Sequence, residues 1–213
     1  MLLVERTVND FVEVVESDAP APGGGSVSAL AAGLGSALTA MVGGLSIGRK
    51  AFDALEDSQK TEIEEGTKKA IELRKRLMEI VDEDTNAFND YMEALKLPKE
   101  TDEEKAARKQ AMEDAMKGAV RVPLEAAQKA LESVKLIDSF LKYGNQNAIT
   151  DAGVASLIGT AGVQGAVYNV LINLGSISDQ AFNDEMRKTC DELVKEAKAL
   201  REVHEKDVFS KLA

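Results

Sequence analysis

The residues able to do chemistry in this chain are few, and most are polar groups at positions where apolar ones belong. Asp84 falls on the apolar stripe of a long helical repeat, four residues after Ile80 and four before Phe88. That spacing puts all three on one helix face. A carboxylate there is either part of an ion pair or a site residue, because burying it unpaired is costly. Asp151 opens a long uncharged segment, where it is either a first-turn carboxylate favoured by the helix dipole or a second site acid. Asn169 and Asn173 lie four apart later in that segment and so share a face. Buried amides need partners, either neighbouring helices or a polar ligand. Gly23, Gly24, Gly25 and Ser26 form a loop that lets backbone approach closely, either to pack a helix or to admit a ligand. Carboxylates, amides and open backbone suit proton transfer and hydrogen-bonded recognition of a neutral polar heterocycle.

Other chemistries lack residues. Cys190 is the only cysteine and His204 the only histidine. This removes an intrachain disulfide, a Cys/His zinc site and the Ser-His-Asp and Cys-His nucleophile systems as strong options. His204 sits among Arg201, Glu202, Glu205 and Lys206, a setting expected of a charged C-terminal helix. Net charge is −11 with no basic block, so nucleic acid and an anionic membrane are not expected partners. The N-terminus lacks the basic start of a signal peptide, which predicts a cytoplasmic protein.

The helical period that must position these groups runs almost throughout. Aromatics are 4% of 213 residues and Trp is absent, so Leu, Ile, Val, Met and Ala must build the core. Val4, Val8, Phe11 and Val15 predict a first amphipathic helix. Ser26 is expected to cap a second helix running to Gly48. Residues 57–97 form a long third stretch ending at Pro98. Thr101 and Glu104 form a capping box. Pro123 is expected to kink or break the next helix into pieces near 102–121 and 123–142. Thr150 to Leu174 is a second uncharged helix, and Ser178-Asp179 caps the last. The expectation is a single all-α domain over residues 1–213, a helical bundle with two buried uncharged central helices and long amphipathic outer ones.

The two uncharged segments, Ala19 to Gly48 and Ala152 to Ser178, are long enough to raise a transmembrane reading. Their Gly, Ala and Ser content and the amides of the second argue instead for close-packed interior helices, with no membrane. One chain has limited means of covering two such helices, which predicts a homodimer.

Five segments carry a family resemblance. They are Asp18 to Leu30 (DAPAPGGGSVSAL), Leu45 to Lys50 (LSIGRK), Asp84 to Phe88 (DTNAF) with Leu97-Pro98-Lys99 after it, Asn147 to Ala155 (NAITDAGVA), and Asn169 to Leu174 (NVLINL). In that order they resemble the formiminotetrahydrofolate cyclodeaminase / methenyltetrahydrofolate cyclohydrolase family. The resemblance implies an all-helical dimer, in free-standing form, whose substrate is a tetrahydrofolate derivative bearing a one-carbon unit. A cyclodeaminase closes the 5-formimino compound to the 5,10-methenyl form with loss of ammonia. A cyclohydrolase interconverts the 5,10-methenyl and 10-formyl forms. Neither needs a metal. A non-catalytic folate-binding or assembly module is the alternative.

Carried onto this chain, the resemblance makes Asp84 the general acid/base or the holder of the pterin amino-pyrimidine edge, and Asp151 the other of the two. Asn147, Asn169 and Asn173 would orient the pterin or the one-carbon unit. The backbone of Gly23, Gly24, Gly25 and Ser26 would line the pocket or receive a carboxylate. A helix from Ser26 to Gly48 is about 33 Å long, so Arg49 and Lys50 fall at the end opposite the glycines. An antiparallel dimer would bring them across and set Lys50 near a polyglutamate tail. Their other reading is a solvated helix C-terminus favoured by the dipole.

Overall fold

The computed structural model describes residues 1–213. Seven helices follow in order: α1 Val8–Glu16, α2 Gly24–Ser46, α3 Lys50–Asp53, α4 Asp57–Ala94, α5 Asp102–Tyr143, α6 Ile149–Leu174 and α7 Gln180–Leu212. Short 3₁₀ turns occupy Leu3–Glu5 and Gln146–Ala148. The chain has no strand. α2 packs on α4, α5 and α6, and α7 lies against α6 and α5.

Small residues set the α2–α6 separation. A Cβ on Gly35 would lie 3.1 Å from the Ala155 carbonyl oxygen, and one on Gly162 would lie 3.0 Å from that of Ser28. Backbone therefore meets backbone at both levels, which explains why these two helices, with Asp151 their one charged residue, are rich in Gly, Ala and Ser. Larger residues from α4 and α5, such as Leu77, Ile80, Val120 and Phe140, fill the flanking core.

The Thr101 capping box forms as expected: Glu104 N–H donates to Thr101 Oγ1 at 3.1 Å, and Thr101 N–H to Glu104 Oε2 at 3.0 Å. Asp179 caps α7 through the Phe182 N–H at 3.1 Å. Three expectations fail. Gly23, not Ser26, stands at the N-cap of α2, because the Ser26 hydroxyl donates instead to the Val81 carbonyl at 2.8 Å. α5 runs unbroken through Pro123. Proline supplies no N–H to the Ala119 carbonyl four residues back, and Asn173 Nδ2 donates to that oxygen at 2.8 Å. α2 and α6 are not buried on every side: Leu34 is 53% exposed, Tyr168 60% and Ile172 75%. His204 lies in the charged C-terminal helix as expected, and its side chain is turned inward. It is 1% exposed and bonded through Nδ1 to Ser156 Oγ at 2.9 Å, while its Nε2 has no partner.

Candidate active site

The N-terminus of α2 is wedged between α4 and α6, and this brings Gly24, Gly25, Ser26, Asp84 and Asn169 together. Gly25 lies against the Asp84 carboxylate: a Cβ there would come within 2.5 Å of Cγ and Oδ2, and closer still to Oδ1. Gly24 lies against Asn169, where a Cβ would stand 3.1 Å from Nδ2. The glycines thus serve close packing, and what they pack against is polar. Ser26 Oγ reaches Asp84 Oδ2 at 3.2 Å and Thr85 Oγ1 at 3.3 Å, beyond its bond to Val81.

Burial is the main influence on Asp84 and pushes its carboxyl above the usual range, against the opposing pull of the Ser26 hydroxyl and N–H. No cation pairs with it. A carboxyl so placed holds its proton more readily toward neutral pH than an exposed one does. It can therefore serve as donor and acceptor in turn. The ion-pair reading of Asp84 does not hold.

Its neighbours on α4 do other work, although nothing in their spacing suggests it. Asp82 accepts the Leu3 N–H at 2.6 Å and so ties the N-terminal turn to the helix. Glu83 joins Glu125 around Arg76, at 2.6 and 2.7 Å. Thr85 gives no signal in the sequence, since a half-buried threonine gains meaning only beside Ser26.

Asn169 Nδ2 donates to the Gly165 carbonyl of its own helix at 2.9 Å. Asn173, one turn on, is occupied with Ala119. The remaining residues lie elsewhere. Lys50 is exposed at the start of α3, Asn147 is exposed in the second 3₁₀ turn, and Asp151 is half-buried in the first turn of α6. Asn147 lines a cleft of about 410 Å³ with Ser46, Arg49, Phe52, Tyr143 and Asn145. Asp151 and Asn169 are 18 residues apart on one helix, about 27 Å. Within a single chain these groups form two clusters at opposite ends of α2 and α6. No group of three or more His, Cys, Asp or Glu side chains is arranged to hold a metal ion.

The architecture defines the class. It matches the crystal structure of formiminotetrahydrofolate cyclodeaminase from Thermotoga maritima with a TM-score of 0.85 over 98% of each chain, at 24% identity, a likeness of fold. Residues 7–192 match the formiminotransferase-cyclodeaminase family, and the chain belongs to it. It is 39% identical over 207 residues to methenyltetrahydrofolate cyclohydrolase of Methylorubrum extorquens, covering 97% of this chain and 98% of that protein. It is also 39% identical over 196 residues to formimidoyltransferase-cyclodeaminase of Gallus gallus, of which it spans 36%.

Proposed function

We propose that this chain is a folate one-carbon enzyme acting at the carbon that bridges N5 and N10 of tetrahydrofolate. The observation that carries the chemistry is Asp84: desolvated, without a cation, and seated against glycine backbone. The cyclohydrolase reaction is the first reading, because the cyclohydrolase relative matches end to end. Water adds to the methenyl carbon and gives up a proton, which Asp84 accepts. The C–N5 bond then breaks, N5 takes a proton from Asp84, the adduct hydroxyl loses its own, and 10-formyl-tetrahydrofolate forms. The net product is one released proton.

The cyclodeaminase reaction is the second reading, favoured by the equal identity to the chicken protein. There N10 attacks the formimino carbon and its proton passes to the adduct nitrogen, Asp84 supplies a second proton to that nitrogen, and the C–N bond breaks to release ammonia and leave the 5,10-methenyl cation. The Gly23 to Ser26 backbone and Asn169 line the pterin pocket, and Asn173 holds the wall behind it.

The working form is a cytoplasmic homodimer that needs neither metal nor membrane. The exposed apolar faces of α2 and α6 support this reading. Each helix is long and apolar enough to cross a membrane, and half of each is buried within the chain. An antiparallel pairing covers the other half and carries a partner's Lys50, Asn147 and Asp151 end toward Asp84.

The test is paired. Protein is mixed with methenyl-tetrahydrofolate and loss of its near-ultraviolet absorbance is followed above the spontaneous rate; formimino-tetrahydrofolate is then offered and ammonia measured. Turnover of either supports the reading and says which reaction it is. Turnover of neither leaves the non-catalytic binding module. Sedimentation without detergent must give a dimer, and Leu34→Glu must shift it to monomer.

A further inference from the structure

Thr39, Thr61, Thr67 and Thr189 each donate the side-chain hydroxyl to the carbonyl four residues earlier in the same helix, at 3.0, 2.9, 2.6 and 3.0 Å. That bond is local and needs no tertiary partner. Thr85, well inside α4, is placed differently. The carbonyl four residues before it belongs to Val81, which takes the proton of the Ser26 hydroxyl at 2.8 Å. Thr85 Oγ1 stands instead 3.3 Å from Ser26 Oγ. Ser26 is fully buried, so no solvent competes for its oxygen.

The Ser26 hydroxyl has one proton and three oxygens around it: the Val81 carbonyl, Asp84 Oδ2 at 3.2 Å and Thr85 Oγ1. It donates to one at a time. While that proton is on Val81 or Asp84, Thr85 must be the donor in its contact with Ser26. With Asp84 protonated, the Ser26 proton stays on Val81. With Asp84 ionised, it turns to Oδ2 in a charge-assisted bond, and Val81 keeps the Thr85 N–H of the helical ladder. A chain of donors running from Thr85 through Ser26 to a carboxylate strengthens each bond in it. Other charges are placed elsewhere. α2 carries none, and α6 has only Asp151 in its first turn. Asp82 and Glu83 hold the Leu3 N–H and Arg76. On α5, Lys117 pairs with Asp179 and Arg121 lies over the Phe182 ring. In the N-terminal turn Glu5 holds the Leu2 N–H, and Arg6 lines an apolar groove beside Val27 and Met78.

We propose that Thr85 is a positioning residue: by donating to Ser26 Oγ it aims the Ser26 proton at the Asp84 carboxylate and so sets the pH range in which Asp84 can accept a proton. The proposal rests on the reading of Asp84 as the proton carrier. Thr85 touches no reacting atom and acts only through Ser26. Burial works against the ionised carboxylate, and the Ser26 hydroxyl and N–H are what oppose it. Thr85 reinforces the hydroxyl's share of that opposition. The same hydroxyl must swing back to Val81 each time Asp84 takes up a proton, and the Thr85 bond to its oxygen holds through both positions.

The test is Thr85→Val, which removes the hydroxyl and keeps the shape, with Thr85→Ser as the rescue. Should Thr85→Val fail to fold, Thr85→Ala, which also lacks the hydroxyl, takes its place. Thr61→Val is the control, the same change on the same helix at a hydroxyl that serves its own Asp57 carbonyl. With methenyl-tetrahydrofolate as substrate, loss of the Thr85 hydroxyl moves the acid limb of the kcat profile up by about half a pH unit, the effect of one weakened hydrogen bond. Below the midpoint kcat then falls about threefold while KM holds. Thr85→Ser and Thr61→Val keep the parent's profile. Carbon-13 NMR of protein labelled at the aspartate carboxyl carbon, with the Asp84 signal identified by its loss in Asp84→Asn, reads the same shift without substrate. An acid limb and an Asp84 midpoint both unmoved in Thr85→Val, or not restored in Thr85→Ser, overturn the proposal and leave the folate reading intact. A midpoint that moves while the kinetic limb stays fixed overturns Asp84 as the proton carrier, and the proposal with it. Should the parent turn over neither folate, the NMR titration decides alone: equal midpoints in the parent and Thr85→Val overturn the role of Thr85.

Discussion

Gly25→Ala tests the site with one methyl group. The added Cβ lies within 2.5 Å of Asp84 Cγ and Oδ2, whereas non-bonded carbon contacts settle near 3.5–4.0 Å. The carboxylate must retreat by about 1 Å, and a displacement of that size costs on the order of 100-fold in rate. Overpacking of this kind destabilises by about 1–3 kcal/mol, and for a chain of this length each kcal/mol lowers Tm by about 2–4 °C. The variant is therefore expected to fold, melt several degrees lower, and lose kcat far more than its stability loss explains. Gly118→Ala is the control, since a Cβ there meets nothing. It should leave kcat unchanged and gain up to about 1 kcal/mol from helix propensity. Steady-state cyclohydrolase kinetics and thermal melts on the three proteins suffice. A Gly25→Ala enzyme with kcat within about threefold of the parent would refute the reasoning, because a carboxylate pushed that far and still working is not where the proton moves.

Three further outcomes follow from the same contacts. Asp84→Asn lowers turnover by about 10²–10⁴-fold without loss of Tm. A carboxyl whose folded pKa is raised stabilises below its unfolded value and loses that contribution as pH rises through the folded one, so at neutral pH the charged group is a burden that Asn removes; a lower Tm contradicts this. Burial is the main cause that depresses His204, against the pull of Asp138 and Asp207. Its contribution is present above pH ~6.5 and is lost as pH falls through the lower folded value, so melts between pH 7 and 5 should show a decline that His204→Gln flattens. Asn173→Ala leaves the Ala119 carbonyl unpaired at a cost of about 1–3 kcal/mol. Adding Pro123→Ala restores an N–H to that carbonyl and should erase the loss, whereas additive losses in the double variant would break the assigned pairing.

Much of this protein was legible from one sequence. Period, caps and composition set an all-α chain with two helices almost free of charge, because helical repeat and end chemistry are local properties. Asp84 was legible as well, since a carboxylate on an apolar stripe violates a pattern that its own helix defines. The ordered motifs named the family through residue identity alone. Tertiary structure decided what depends on a neighbour distant in sequence. Whether Pro123 breaks α5 was settled 50 residues away by Asn173. Ser26 left its cap for a carbonyl on α4, and His204 went inside because α6 offered Ser156. The face Gly25 turns to Asp84, and the separation of Asp151, Asn147 and Lys50 from it, likewise follow from how helices cross. Sequence specifies what each helix carries; only packing specifies which of those groups meet.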